Sequence, residues 1–189
     1  MAMNRFYDLT DDMDQPGRWH LRHPVDEHGQ KINPWMFIES RRLDCDGLIR
    51  FPVKPDGREL EFTQSSFSIP VVHHRVVQLF ERLGIQDVQF LPVEVQGHGG
   101  PWFILNALRV IRCIDEARCR EVRHFKPEDG QPERVGEYRV VSGLRIDPTK
   151  VGDAHVFRPW GWTMVLIVSE DVKQAMEHEG LTGPVFTEV

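Results

Sequence analysis

A chain of 189 residues, 40% hydrophobic and 28% charged, has the size and composition of one globular domain with a substantial core. Its net charge of −6, from 23 basic and 29 acidic residues, argues against a general nucleic-acid binder, which needs clustered Lys and Arg to neutralise phosphates. No apolar run approaches the ~20 residues that span a bilayer. Residues 1–10 lack the apolar centre of a secretory signal, and the three cysteines, Cys45, Cys113 and Cys119, form no C-x-x-C pair, so a cytoplasmic protein with reduced, packed thiols is expected.

Asn4 to Leu9 reads as a first strand, followed by a polar loop through Gly17 and a short strand at Arg18-Trp19-His20-Leu21. Residues 22–33 are polar and irregular, and Pro34-Trp35-Met36-Phe37-Ile38 is an apolar anchor that pins this region to the core. Leu48 to Phe51 and Leu60 to Thr63 alternate around Lys54-Pro55-Asp56-Gly57, whose turn residues predict a hairpin. From Ile69 the period changes. Val72, Val76, Leu79, Phe80 and Leu83 recur at helical spacing, with Ser68 and Pro70 suited to the entry and Gly84 to the exit.

Val88 to Val95 and Trp102 to Ile111 predict two long antiparallel strands joined across Gly97-His98-Gly99-Gly100-Pro101, and Glu121 to Phe125 pairs similarly with Glu137 to Val141. His155 to Arg158 leads through Pro159-Trp160-Gly161-Trp162 into Thr163 to Val168, a continuous apolar run of strand length. Ser169 then caps a helix with Glu170 and Asp171 at its positive end, Gly180 stops it with Leu181 folding back, and Pro184 to Val189 forms a last strand. The expected architecture is α+β: a mostly antiparallel twisted sheet with two principal helices, in one domain over 1–189. Residues 1–67 form an irregular N-terminal part and residues 68–189 the helix-plus-sheet core.

The chemistry-bearing residues favour recognition over reaction. Asp8, Asp11, Asp12 and Asp14 crowd the first loop, and Asp44 and Asp46 flank Cys45. Such clusters are commonly solvated surface, and the sharper reading is an acidic face presented to a basic partner. Trp160 and Trp162, bent around Gly161, either cap the end of the sheet or anchor an interface, and Trp35 is open to the same two readings. His98-Gly99-Gly100 has the look of an esterase oxyanion loop, but no serine sits in a G-x-S-x-G elbow, so a hairpin connection is the better account. Pro55-Asp56 with Glu59 and Glu61 has the acids of a restriction-type nuclease without the following lysine. His20 with His23 and the adjacent His73-His74 invite a metal reading, but no H-E-x-x-H or C-x-x-C accompanies them, and neither a metal nor a cofactor is expected.

Several segments taken together resemble a known family. Val88-Gln89-Phe90-Leu91-Pro92-Val93, Trp102 to Leu108, Cys113-Ile114-Asp115-Glu116, Leu144-Arg145-Ile146-Asp147-Pro148, His155 to Arg158, Ile167-Val168-Ser169-Glu170 and the closing Gly180 to Val189 follow one another in its order. The chain resembles the eleventh immunity-protein family of bacterial polymorphic toxin systems, typified in myxobacteria, with Cys119 standing where that pattern carries a serine. The resemblance implies a non-enzymatic cytoplasmic protein that binds a cognate protein toxin, such as a nuclease, and occludes its active surface. It implies neither direct nucleic-acid binding nor a membrane, and leaves a homo-oligomer open. On this reading Asp8, Asp11, Asp12, Asp14, Asp44, Asp46, Trp160 and Trp162 are the candidate toxin-binding residues. An uncharacterised hydrolase or nuclease, and a structural or oligomerising accessory domain, are the alternatives.

Overall fold

In a computed structural model that describes residues 5–189, twelve strands and two helices build two five-stranded sheets and a separate two-stranded ribbon. In chain order the elements are β1 (Phe6–Asp11), β2 (Arg50–Phe51), β3 (Phe62–Gln64), β4 (Pro70–His73), α1 (His74–Arg82), β5 (Val88–Val95), β6 (His98–Ala107) and β7 (Val110–Ile111). There follow β8 (Glu121–His124), β9 (Tyr138–Ser142), β10 (Val156–Pro159), β11 (Ile167–Ser169), α2 (Glu170–His178) and β12 (Pro184–Glu188). The first sheet runs β12-β1-β11-β10-β7 and the second β2-β5-β6-β4-β3, with β8-β9 as the ribbon. Of the strand pairings among the described residues only β2–β5 and β7–β10 are parallel, so the α+β class with a mostly antiparallel strand arrangement holds. The expected single sheet is two, because the first and last strands pair with each other and take β10 and β11 with them.

Alternation along β6 joins the layers. Leu105 and Ala107 face a cluster shared with the first sheet and both helices, where Leu9, Phe62, Val76, Phe80, Val168, Val172 and Met176 are buried. Trp102 and Ile104 point the other way, into a second cluster with Trp19, Phe37, Phe51, Leu60 and Leu91 that roots the N-terminal third. A third, smaller cluster forms around Phe6, Cys113, Ile146, Phe157 and Ile167.

The helices end as their residues dictate. Ser169 accepts at 3.5 Å from the Val172 N–H, and Glu170 and Asp171 occupy the first turn of α2. At the other end Gly180 takes φ +62°, its N–H donates to Glu177 O (3.0 Å), and the Leu181 N–H donates to Met176 O (3.2 Å). That is the Schellman pair of bonds, with Leu181 packed on the core. The same device closes α1: Gly84 at φ +67° donates to Glu81 O, and Ile85 donates to Phe80 O, both at 3.0 Å. The start of α1 differs from expectation. Pro70 to His73 is strand, paired to β3 and β6, and the helix begins at His74 with His73 as cap, so Val72 is a strand core residue. Pairing to two neighbours satisfies more backbone groups than one extra helical turn.

The hairpin around Pro55-Asp56-Gly57 is not formed. β2 pairs with β5 and β3 with β4, while the turn is claimed by the segment after Gly17: Arg58 N donates to Gly17 O (2.8 Å), Trp19 N to Arg58 O (3.0 Å) and Lys54 N to His20 O (2.9 Å). Gly57 is required there, because a Cβ would collide with the Gly17–Arg18 backbone. Residues 18–21 accordingly make isolated bridges with Arg58 and Val53 in place of a strand. Asn4, where the first strand was expected to begin, lies outside the described residues, and β1 runs on to Asp11. The apolar run from Thr163 is strand only at Ile167–Ser169, because Pro159 to Val165 folds into turns. The β5–β6 and β8–β9 pairs form as their alternation predicts. Among the described residues no helix is long and apolar enough to cross a membrane.

Candidate functional site

A groove of about 550 Å³ runs between the N-terminal third and the Trp160–Met164 turns. On one side Pro34-Trp35-Met36-Phe37 forms a 3-10 turn capped by Asn33, whose Oδ1 accepts from the Trp35 N–H at 3.1 Å. This turn buries Pro34 and Phe37 and leaves Trp35 49% exposed. Phe67, 44% exposed, meets Trp35 edge-on at 5.3 Å. On the other side Trp160 N donates to Ile111 O (2.9 Å) and Trp162 N to Pro159 O (3.1 Å), bringing both indoles to the groove beside Val110 and Met164. Gly161 makes the bend possible: it takes φ +75°, and a Cβ would stand 3.0 Å from the Tyr138 ring.

Behind this wall the fully buried Arg158 donates from Nη1 to the carbonyls of Thr163 (2.7 Å) and Val165 (3.5 Å), which holds the turn bearing Trp162 and Met164. Burial pushes its pKa down to about 10 against the opposing charge of Asp8, so it is still a cation at neutral pH. The groove's rim charges are paired internally, Arg134 with Glu137 at 3.2 Å and Glu39 with Arg41 at 2.9 Å.

A second, polar hollow of about 320 Å³ shares Trp160 with the groove. The Arg112 guanidinium carbon lies 3.3 Å from the centre of the Trp160 ring system, a cation–π stack. Glu116 accepts from the Tyr138 hydroxyl at 2.9 Å and faces His124 Nε2 at 3.1 Å. Burial, reinforced by Glu116, raises the Tyr138 hydroxyl to about 12, and burial raises the Cys113 thiol to about 12, so neither ionises near neutral pH.

The acids expected at the first loop part company. Asp11 is buried and its Oδ2 meets Arg18 Nη2 at 2.6 Å, both side chains almost fully covered. Asp8 sits mid-strand, half-buried, and burial raises its carboxyl to about 6 against the pull of Arg158. Asp12 uses Oδ1 to accept from the Asp14 N–H at 3.0 Å, and of these four acids only Asp14 is exposed. Asp44 and Asp46 are exposed and flank a Cys45 thiol that burial, and then their charges, raise. Asp8 and Asp11 fall on opposite faces of one strand, Asp11 on the face of Tyr7 and Leu9 and Asp8 on the face of Phe6, and both faces are covered. They lie in β1, whose every residue is flanked by β11 or β12, and not in a loop. Trp160 and Trp162 are half-buried, serving as the end of the sheet and the groove wall at once.

Trp35, Val110, Met164 and Arg112 complete this surface, and of these only Trp35 stands out in the sequence as an aromatic beside a turn-forming Pro34. Met164 sits in what reads as strand, and Arg112 as one arginine among many. The oxyanion-like His98-Gly99-Gly100 is the start of β6, where Gly99 O accepts from the Trp102 indole at 3.0 Å. His98 lies between two carboxylates, Glu59 at 2.7 Å from Nδ1 and Asp56 at 2.8 Å from Nε2, and Glu61, the third acid of the nuclease-like stretch, accepts from Arg75 Nη1 at 2.5 Å and from the Thr182 N–H at 2.9 Å. No group of three or more His, Cys, Asp or Glu suited to a metal ion occurs among the described residues.

An α+β scaffold presenting an aromatic groove beside a stacked cation has the makings of a recognition protein. Residues 3–189 match the immunity protein family Imm11, and the chain belongs to that family. Its function is accordingly immunity against a toxin. A comparison with curated proteins gave no match.

Proposed function

We propose that this protein binds a cognate toxin in the cytoplasm through the Trp35–Trp160–Trp162–Met164 groove and neutralises it by covering its active surface. The observation that carries this reading is the concave wall of large apolar side chains left open to solvent, with Trp35 49%, Met164 45% and Val110 40% exposed around a groove of about 550 Å³. Contiguous apolar surface of this kind is costly to leave in water unless a partner covers it, and tryptophans at the centre of such a patch carry a large share of binding energy. The acids contribute at longer range. The exposed Asp14, Asp44 and Asp46, with Asp12, add to the net charge of −6 and favour approach of a basic toxin, as a nuclease would be. With Asp8 and Asp11 turned inward, mimicry of a nucleic-acid backbone by a continuous acidic face is the weaker account.

The test is protection in cells that co-express the toxin. Trp35→Ala and Met164→Glu are expected to weaken the purified complex by roughly thirtyfold or more, the scale of a hot-spot loss, while thermal stability stays within a few degrees of the parent. Full protection by both variants would remove the groove from the interface.

A further inference from the structure

Arg112 is an exposed cation without a counter-ion: among the described residues no carboxylate lies within 4.0 Å of it, whereas Arg134 holds one and Arg109 and Arg75 hold two each. It is nevertheless ordered by its stack on Trp160, the indole that also lines the apolar groove. In the same hollow the one acid, Glu116, is engaged by the Tyr138 hydroxyl and His124, which leaves its charge partly satisfied. Lys150, also lining the hollow, adds a second cation that Asp147 holds only at 3.7 Å. A guanidinium fixed flat against a ring keeps its N–H edge outward and loses little freedom when it binds, and that edge matches a carboxylate bidentately.

We infer that the Arg112 hollow receives an Asp or Glu side chain of the toxin, next to an apolar residue seated in the groove on the other side of Trp160. The partner thus carries an acid beside a large apolar side chain, on a protein whose overall charge is basic. This inference rests on the groove being the toxin-binding surface. The long-range field of the chain attracts cations, while this one hollow is complementary to an anion, so a partner must satisfy both. That requirement raises specificity among related toxins more than it raises affinity.

The experiment measures affinity between this full chain and the purified toxin domain against which it protects, at low and high salt. Arg112→Glu is expected to weaken binding by about tenfold or more at low salt and Arg112→Gln by a smaller factor, with both losses shrinking as salt rises. Charge reversal of one toxin acid is expected to restore binding to the Arg112→Glu variant. Arg112 is exposed, so an unchanged melting temperature will separate contact from folding. Equal or tighter binding by Arg112→Glu, while Met164→Glu abolishes binding, would overturn the acidic anchor and leave the groove standing. Unchanged binding by both variants would overturn the groove and the anchor together.

Discussion

His98 illustrates how one side chain couples two distant segments and makes their contact depend on pH. Its two ring nitrogens face Glu59 and Asp56, so a neutral imidazole has only one N–H for two carboxylates and the imidazolium satisfies both. Burial lowers its pKa, but the two hydrogen bonds and charges outweigh that, and the net shift is upward. A histidine with a raised folded pKa contributes stability that is fully present below the unfolded value of about 6.5 and is lost as pH rises through the folded one. Melting temperature is therefore expected to fall from pH 6 upward in the parent, and His98→Gln to flatten that limb. A parent and variant with parallel curves would exclude the clip. Asp8 has the opposite chemistry and the same direction. Its carboxyl is raised by burial from 3.8 to about 6, so its contribution is favourable when protonated and fades as pH rises through 6. Asp8→Asn is expected to stabilise the protein at pH 7 by about 2 kcal/mol, with the gain vanishing near pH 4, as read by urea unfolding across that range.

At the scale of elements, both helices use one recipe, a polar N-cap and a left-handed glycine followed by a core-packing aliphatic, and the glycines can be told apart by what surrounds them. Gly180 has open space where a Cβ would go, so Gly180→Ala meets only the strain of its positive φ and is expected to cost about 1 kcal/mol. Gly183, at φ +101°, lies against the Phe62 carbonyl, with which a Cβ would collide, and Gly183→Ala is expected to cost severalfold more, because backbone cannot swing aside as a side chain does. Chemical denaturation of the two variants compares them directly. The last strand also shows how an edge is closed. Asp12 N donates to Gly183 O and Val189 N to Phe6 O, so the odd-numbered residues face β1 and the even-numbered ones face out. Pro184 has no N–H to offer, and Arg145 Nη1 occupies Glu188 O at 2.6 Å, which blunts β12 as a template for strand addition.

For the whole molecule, β1 is the decisive element, since it lies between β11 and β12 and contributes Tyr7 and Leu9 to the core cluster shared by both sheets and both helices. Contacts so far apart in sequence form late and at a large cost in chain entropy, and their loss is felt across the sheet. Removal of residues 1–11 is expected to abolish cooperative unfolding of the remaining chain. A truncated chain that kept one sharp transition in circular dichroism would show that β11 and β12 are stable without their shared neighbour.

Local features were legible because they depend on neighbours in the chain. The Ser169 cap, the Gly84 and Gly180 stops, the β5–β6 and β8–β9 pairs and the α+β class follow from turn chemistry and period alone. The aromatic pair at Trp160 and Trp162 was legible as a candidate surface, but its partners Trp35, Val110 and Arg112 come from segments whose meeting with it no local signal encodes. Turn residues at Pro55-Asp56-Gly57 permit a hairpin without compelling one. The segment from Gly17 to His20 takes their hydrogen bonds because Trp19, wholly buried with its indole donating to Thr63 Oγ1 at 2.8 Å, anchors that segment in the core. What the sequence determined by itself is therefore where helices start and stop and which faces are apolar, because backbone sterics, caps and periodicity act over a few residues. Strand order, the inward turn of Asp8 and Asp11 and the assembly of the groove were decided by tertiary structure, because burial and pairing reward contacts only after distant parts of the chain have met.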